Sequence, residues 1–170
     1  MSPAGPDAIP LSMIRLVQRI ARPFALQTCL LLALFLGIST AQAQPLDLTA
    51  YRGRIVYLDF WASWCAPCRL SFPWMNQLQQ LYGSQGLVVI AVNVDRDRAK
   101  ADDFLRETPA GFKVVYDPSG QIAGKFDIKA MPTSLLIGRD GKIHFVHSGF
   151  FPEKRDEYFA HIAELLRSAQ

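Results

Sequence analysis

Two thiols three positions apart, in Cys65-Ala66-Pro67-Cys68, carry the clearest chemistry in this sequence. At that spacing the pair can close into a small disulfide and open again. The residues before it, Val56-Tyr57-Leu58-Asp59-Phe60-Trp61, have the β-branched and aromatic makeup of a buried strand, and Arg69 to Tyr82 reads as a helix. The pair therefore falls on a strand-to-helix turn. Its leading thiol then sits at a helix N-terminus, where unpaired backbone N–H groups and the helix dipole favour the thiolate. Thiolate is the form that attacks a disulfide. A structural staple is the poorer reading, because so short a closed loop constrains little of the unfolded chain. Zinc is poorer still: a structural site wants four ligands, and no second Cys-x-x-Cys or spaced histidine pair accompanies the first.

The remaining cysteine, Cys29, lies in an apolar stretch from Ala25 to Ile38. Arg15, Arg19 and Arg22 flank that stretch on one side, and Ala41-Gln42-Ala43 follows it with a small-x-small pattern. Residues 1–43 therefore read as a secretory signal peptide, with Met13 as an alternative start and Gln44 as the first mature residue. The stretch is shorter than the ~20 residues of a spanning helix, and Gln27 and Thr28 dilute it. An uncleaved segment tethering the chain to the inner membrane is the alternative. Leu26-Gln27-Thr28 lacks the small residues of a lipid-attachment site, so Cys29 leaves with the leader and residues 44–170 keep only Cys65 and Cys68. The net charge of +3 owes most of its excess to the leader's arginines. What remains is near neutral, which argues against nucleic acid or another polyanion as partner.

The elements that position the thiols follow from the pattern. With half of its 170 residues apolar, the chain can build one real core. Leu87 to Val94 is a continuous β-branched run, as expected of a strand covered on both faces. Asp97 to Thr108 reads as a helix with Ala101, Phe104 and Leu105 inward, ended by Pro109 and Gly111. Lys113 to Tyr116 is a short strand closed by the turn Asp117-Pro118-Ser119-Gly120, and Gln121 to Phe126 is a helical turn or two. Thr133 to Ile137 and Lys142 to Ser148 form a hairpin about Gly138-Arg139-Asp140-Gly141. A last helix, Glu153 to Ser168, places Phe159, Ile162 and Leu166 on one face, and in the first helix Leu70, Trp74, Leu78 and Leu81 form the inward stripe. The predicted architecture is α/β, a central mixed sheet with helices on both faces.

Asp59-Phe60-Trp61-Ala62-Ser63-Trp64-Cys65-Ala66-Pro67-Cys68, with Pro73 beyond it, resembles the thioredoxin superfamily; so do Met131-Pro132-Thr133 ahead of a strand and Gly149 after the hairpin. The helix and strand inserted between Arg98 and Tyr116 are similar to those of the exported reductases of the TlpA/ResA/CcmG kind. The resemblance implies a thioredoxin-like fold over residues 44–170 and a thiol–disulfide oxidoreductase. Cys65, exposed at the helix start, is then the attacking thiolate, and Cys68 resolves the mixed disulfide. Pro67 restricts Ala66 and holds the thiols at bridging distance.

By the same resemblance Asp59, costly as an unpaired carboxylate inside an apolar strand, is the general base for Cys68. A polar residue satisfied by a neighbour is the alternative. Pro132 is expected in the cis form, so that its backbone edge pairs with an extended substrate segment. Trp64, Ala66, Pro67, Met131 and Thr133 are the expected substrate contacts. Asp95 and Asp97 line the site or cap the next helix.

The activity so implied is periplasmic exchange without a cofactor beyond the Cys65–Cys68 disulfide. It reduces disulfides of exported proteins or apocytochrome c, draws electrons from a membrane dithiol donor, and acts as a monomer. A dithiol oxidant is the opposite direction of the same chemistry. A copper chaperone on the same fold is a further alternative, since His144 and His147 lie downstream. Their odd separation on one strand, however, points them to opposite faces, and no metal site is read from them or from His161.

Overall fold

A computed structural model describes residues 46–168. The leader, its cleavage pattern and Cys29 lie outside the described residues. The chain after Leu46 makes a short 3₁₀ turn at Thr49–Tyr51 and enters β1, Ile55–Trp61, in which every residue is buried. Then come α1 (Ala66–Tyr82), β2 (Leu87–Asn93), α2 (Arg98–Glu107), β3 (Lys113–Tyr116) and the short α3 (Gln121–Lys125). The hairpin β4 (Thr133–Ile137) and β5 (Ile143–Ser148) follows, and a 3₁₀ turn at Pro152–Lys154 leads into α4 (Arg155–Arg167).

The sheet order is β3-β2-β1-β4-β5, with β1, β2 and β3 parallel and β4 and β5 antiparallel to their neighbours. This is the predicted mixed sheet, and the inserted α2–β3 segment supplies one edge of it. Tyr116 donates to Asp102 at 3.0 Å and lies under the Arg98 guanidinium at 3.9 Å, fastening the insert's strand to its helix.

Alternation along β1 divides the core in two. Ile55, Tyr57 and Trp61 face the layer of α1, α2 and α4, while Val56, Leu58 and Phe60 face α3 and the N-terminal turn. On the first side Trp61, Phe72 and Phe104 pack ring against ring, with centroids 4.6–4.9 Å apart. Each such fully buried side chain contributes roughly 1.5–3 kcal/mol.

Two predicted faces are rotated. In α1 the buried set is Cys68, Ser71, Phe72, Trp74, Met75 and Leu78, while Leu70 and Leu81 are exposed. Cys68 must turn inward to meet its partner, and the face through Phe72 and Met75 follows from it. In α4 Tyr158, Ile162 and Leu165 are buried, and Phe159 and Leu166 pack only partly against the core. Both helices carry apolar residues beyond one stripe, so periodicity left two adjacent faces nearly equivalent.

Candidate active site

The first helix begins at Ala66, earlier than its sequence pattern indicates, so Cys65 is the N-cap itself. Its Sγ accepts from the Cys68 backbone N–H at 3.3 Å, and Pro67 sits in the first turn, where a missing N–H is not needed. Sulfur thus stands where a serine or aspartate oxygen usually caps a helix, and the same N–H group and dipole that hold it favour its thiolate. The two thiols are joined in a disulfide with Cα atoms 5.3 Å apart. Cys65 was expected to be exposed; in this disulfide form it is only 3% exposed, because its sulfur turns into the helix toward Cys68, which is fully buried. Trp64, Ala66 and Pro67 around it are exposed, Trp64 by 70%. With exposed Leu70, Trp64 gives this end of the molecule an apolar surface beside the disulfide.

The loop that delivers Cys65 is tied from below. Asp95, just past β2, accepts from the Ser63 backbone N–H at 2.8 Å and from the Ser63 hydroxyl at 3.0 Å. Asn93 donates to the same carboxylate at 2.8 Å, and both residues are buried. Asp97 instead caps α2 through the Ala99 N–H. Of the two acidic residues singled out in the sequence, one caps a helix and the other anchors the active loop. Ser71 adds a further buried tie, donating to the Cys68 carbonyl at 3.0 Å.

Asp59 is fully buried, and its neighbours along the strand, Tyr57 and Trp61, belong to the cluster that contains both cysteines. Its side chain therefore lies on the cysteine face of the sheet. Ser134, its direct partner on β4, donates to Oδ1 at 2.6 Å, while Oδ2 has no protein partner. Burial pushes the carboxyl up to about 7, and the Ser134 hydrogen bond only partly opposes it. Near neutral pH such a group can take a proton or give one up. Ser134 is a site residue that the sequence reading missed. A lone serine in the apolar run Thr133 to Ile137 was its one signal, and only the β1–β4 register says which residue it meets.

The Met131–Pro132 peptide is cis, as expected, and the Pro132 carbonyl accepts from the Gly149 N–H at 2.8 Å. Met131 packs against the cluster that holds the cysteines. Thr133 is buried with its hydroxyl engaged on the Ala130 carbonyl at 2.8 Å, and β4 is paired on both sides there, with Phe60 of β1 and Ser148 of β5, so the expected contact is not presented to a target. The histidines separate: His144 is exposed at the hairpin beside Asp140, whereas His147 is buried and shares a 2.9 Å hydrogen bond with His161. No three His, Cys, Asp or Glu residues converge on a metal position among the described residues.

A helix-capping disulfide on a mixed sheet, above a buried carboxylate and with a cis-proline loop in the same structure, defines a thioredoxin-fold dithiol protein of the TlpA/ResA/CcmG-like kind. Residues 33–162 match the Redoxin family, and the chain belongs to it. It is 33% identical over 112 residues to the thiol-disulfide oxidoreductase ResA of Geobacillus thermodenitrificans, covering 66% of this chain and 64% of that protein. ResA of Bacillus subtilis is 33% identical over 116 residues, covering 68% and 65%. The chain thus spans somewhat less than two thirds of these relatives' length. Among solved structures, a Chlorobium tepidum protein assigned as thiol:disulfide interchange protein DsbE superposes with a TM-score of 0.69 at 47% identity, covering 71% of this chain and 86% of that one.

Proposed function

We propose that the protein is an exported thiol–disulfide oxidoreductase that reduces disulfides of exported proteins by exchange at Cys65 and Cys68. The observation that carries this reading is the Cys65–Cys68 disulfide at the N-terminus of α1, with Asp59 buried on the same face of the sheet. The similarity to ResA and DsbE supports dithiol chemistry as its use.

In this reading the two thiols act in turn. In the reduced protein the Cys65 thiolate, held at the helix N-terminus, attacks one sulfur of a target disulfide and forms a mixed disulfide while the other target sulfur leaves as thiolate. Cys68 then loses its proton to Asp59 and attacks the Cys65 sulfur. The Cys65–Cys68 bond closes, and the second target thiol is released. Trp64, Ala66 and Pro67 offer the surface a target rests on, and the Met131 backbone ahead of the cis-proline offers an edge for an extended segment. Apocytochrome c is one substrate class consistent with this reading, and a membrane dithiol is the electron source consistent with export. No helix among the described residues is long and apolar enough to cross a membrane. The leader, residues 1–43, carries the export half of the proposal.

The direction of transfer is tested by the reduction potential of Cys65–Cys68 in a glutathione or thioredoxin equilibrium. A potential near that of thioredoxin, roughly −270 mV, is expected; one near −120 mV would make the protein an oxidant. The copper-chaperone alternative loses its histidine. His147 points into the interior against Tyr158 and His161, and His144 sits at the far hairpin turn.

A further inference from the structure

We propose that Ser134, His147 and His161 form a proton path from Asp59 to solvent across the cysteine face of the sheet, letting the base of Cys68 exchange its proton while a target protein covers the cysteines. This rests on the reading of Asp59 as that base. The residues stand in a row. Asp59 on β1 is the cross-strand partner of Ser134 on β4, and Ser134 is the cross-strand partner of His147 on β5. His147 is bonded to His161 on α4 at 2.9 Å. Asp59, Ser134 and His147 are all buried, whereas His161 is half-buried and stacks on Phe145 with ring centroids 4.0 Å apart. The row therefore begins on the cysteine face and ends at the surface of α4.

Such a row crosses a layer built mainly of aromatic and aliphatic side chains. A buried polar side chain there carries a desolvation cost that apolar residues would avoid. Two of its atoms, Oδ2 of Asp59 and Nδ1 of His147, have no protein partner, so each end of the Ser134 step has an open site for a proton. Direct cross-strand partners hold their Cβ atoms about 5 Å apart, a span that a serine rotamer change closes. The groups facing the row are Tyr57 from β1 and Tyr158 from α4, with Glu157 and Lys154 acting on His147 from the start of α4. Burial, then the neighbouring His161, hold His147 down to about 4, so its imidazole stays neutral and can pass a proton without storing it.

Proton and electron bookkeeping closes without any further reagent. During resolution the Cys68 S–H bond breaks and its proton goes to the Asp59 carboxylate. The sulfur's electron pair forms the bond to Cys65 as the bond from Cys65 to the target sulfur breaks, and the target leaves as thiolate. The Asp59 proton then moves to Ser134 Oγ, which gives its own proton to Nδ1 of His147. His147 gives the proton on Nε2 to Nδ1 of His161, and His161 releases the one on its Nε2 to water. The need arises because the mixed disulfide places the target over Trp64 and Cys65, so the direct way out is closed when Asp59 must shed its proton.

The test is single-turnover resolution of a mixed disulfide on Cys65, made once with a folded protein target and once with a small aromatic thiol. For His161→Phe and His147→Phe, which keep the ring contacts with Phe145 and Tyr158, resolution of the protein adduct should slow on the order of tenfold, the small adduct should change by less than about twofold, and imidazole buffer should restore the His161→Phe rate. Equal slowing of both adducts without imidazole rescue would mean the histidines act only through packing, and would overturn the path. Unchanged resolution of the protein adduct in both variants would overturn it too. Asp59→Asn separates the layers: if it slows resolution while His161→Phe and His147→Phe do not, the path alone fails. If Asp59→Asn also has no effect, the base reading falls and takes the path with it.

Discussion

At the scale of single residues, the decisive contrast lies between two buried ionisable groups, one on α1 and one on β1. Cys68 and Asp59 are both fully buried, and neither can be charged there without help. Asp59 solves this by titrating near 7, so close to neutral pH it exists in both forms and can accept the Cys68 proton. Asp59→Asn keeps the shape and removes the acceptor. It should slow resolution of the mixed disulfide on the order of 10²-fold at neutral pH, read by rapid acid quench. The wild-type rate should also climb as pH rises through about 7, where the carboxyl ionises, and that inflection should vanish in the variant. Removing the Cys68 thiol has a different signature. Cys68→Ser should accumulate a stable Cys65–target disulfide visible by mass, whereas Cys65→Ser should trap nothing, since Cys68 is buried away from any target.

At the scale of elements, the site depends on how β1 hands the chain to α1. Three residues, Ala62 to Trp64, make that connection, and Asp95 from the end of β2 holds it through two bonds from Ser63. Asp95→Ala leaves the partly buried Ser63 N–H and the buried Asn93 amide without their acceptor. It should cost about 1–3 kcal/mol in chemical denaturation. It should also lower the rate of Cys65 attack, because the N-cap sulfur loses its fixed position. Asp97→Ala removes only the cap of α2 and should cost about 1 kcal/mol with the attack rate intact, which separates the two roles.

This pair also marks how far the sequence could be read. The strands, the helices and the Cys65–Cys68 motif were legible because periodicity, turn residues and spacing are local properties. What Asp95 touches was not, since its partner Ser63 lies 32 residues away and only the pairing of β1 with β2 brings them together. The same reason hid Ser134 from Asp59, 75 residues apart. The exposed Leu70 and Leu81 show the complementary failure: where a helix carries more apolar residues than one face needs, tertiary packing chooses among them.

At the scale of the whole molecule, burying Asp59 and His147 in one layer gives stability two opposing dependences on pH. The folded Asp59 carboxyl sits at about 7 against 3.8 when unfolded. As pH rises between these values the unfolded chain releases a proton that the folded one keeps, so Asp59 weakens the fold progressively, by roughly 4 kcal/mol in all once pH exceeds about 7. His147 works from the other side: its folded value of about 4 lies below the unfolded 6.5, so stability is lost as pH falls through that interval. From about pH 4 to 6.5 the two slopes have opposite sign and similar size, one proton each, and they largely cancel. Asp59→Asn removes one of them. Measured by guanidinium denaturation, the variant's stability relative to wild type should be least at pH 4 and should grow with pH up to about 7, then level off above it. A difference that stayed constant across that range would mean the Asp59 carboxyl titrates alike in the folded and unfolded chains, and the proton acceptor for Cys68 would have to be sought elsewhere.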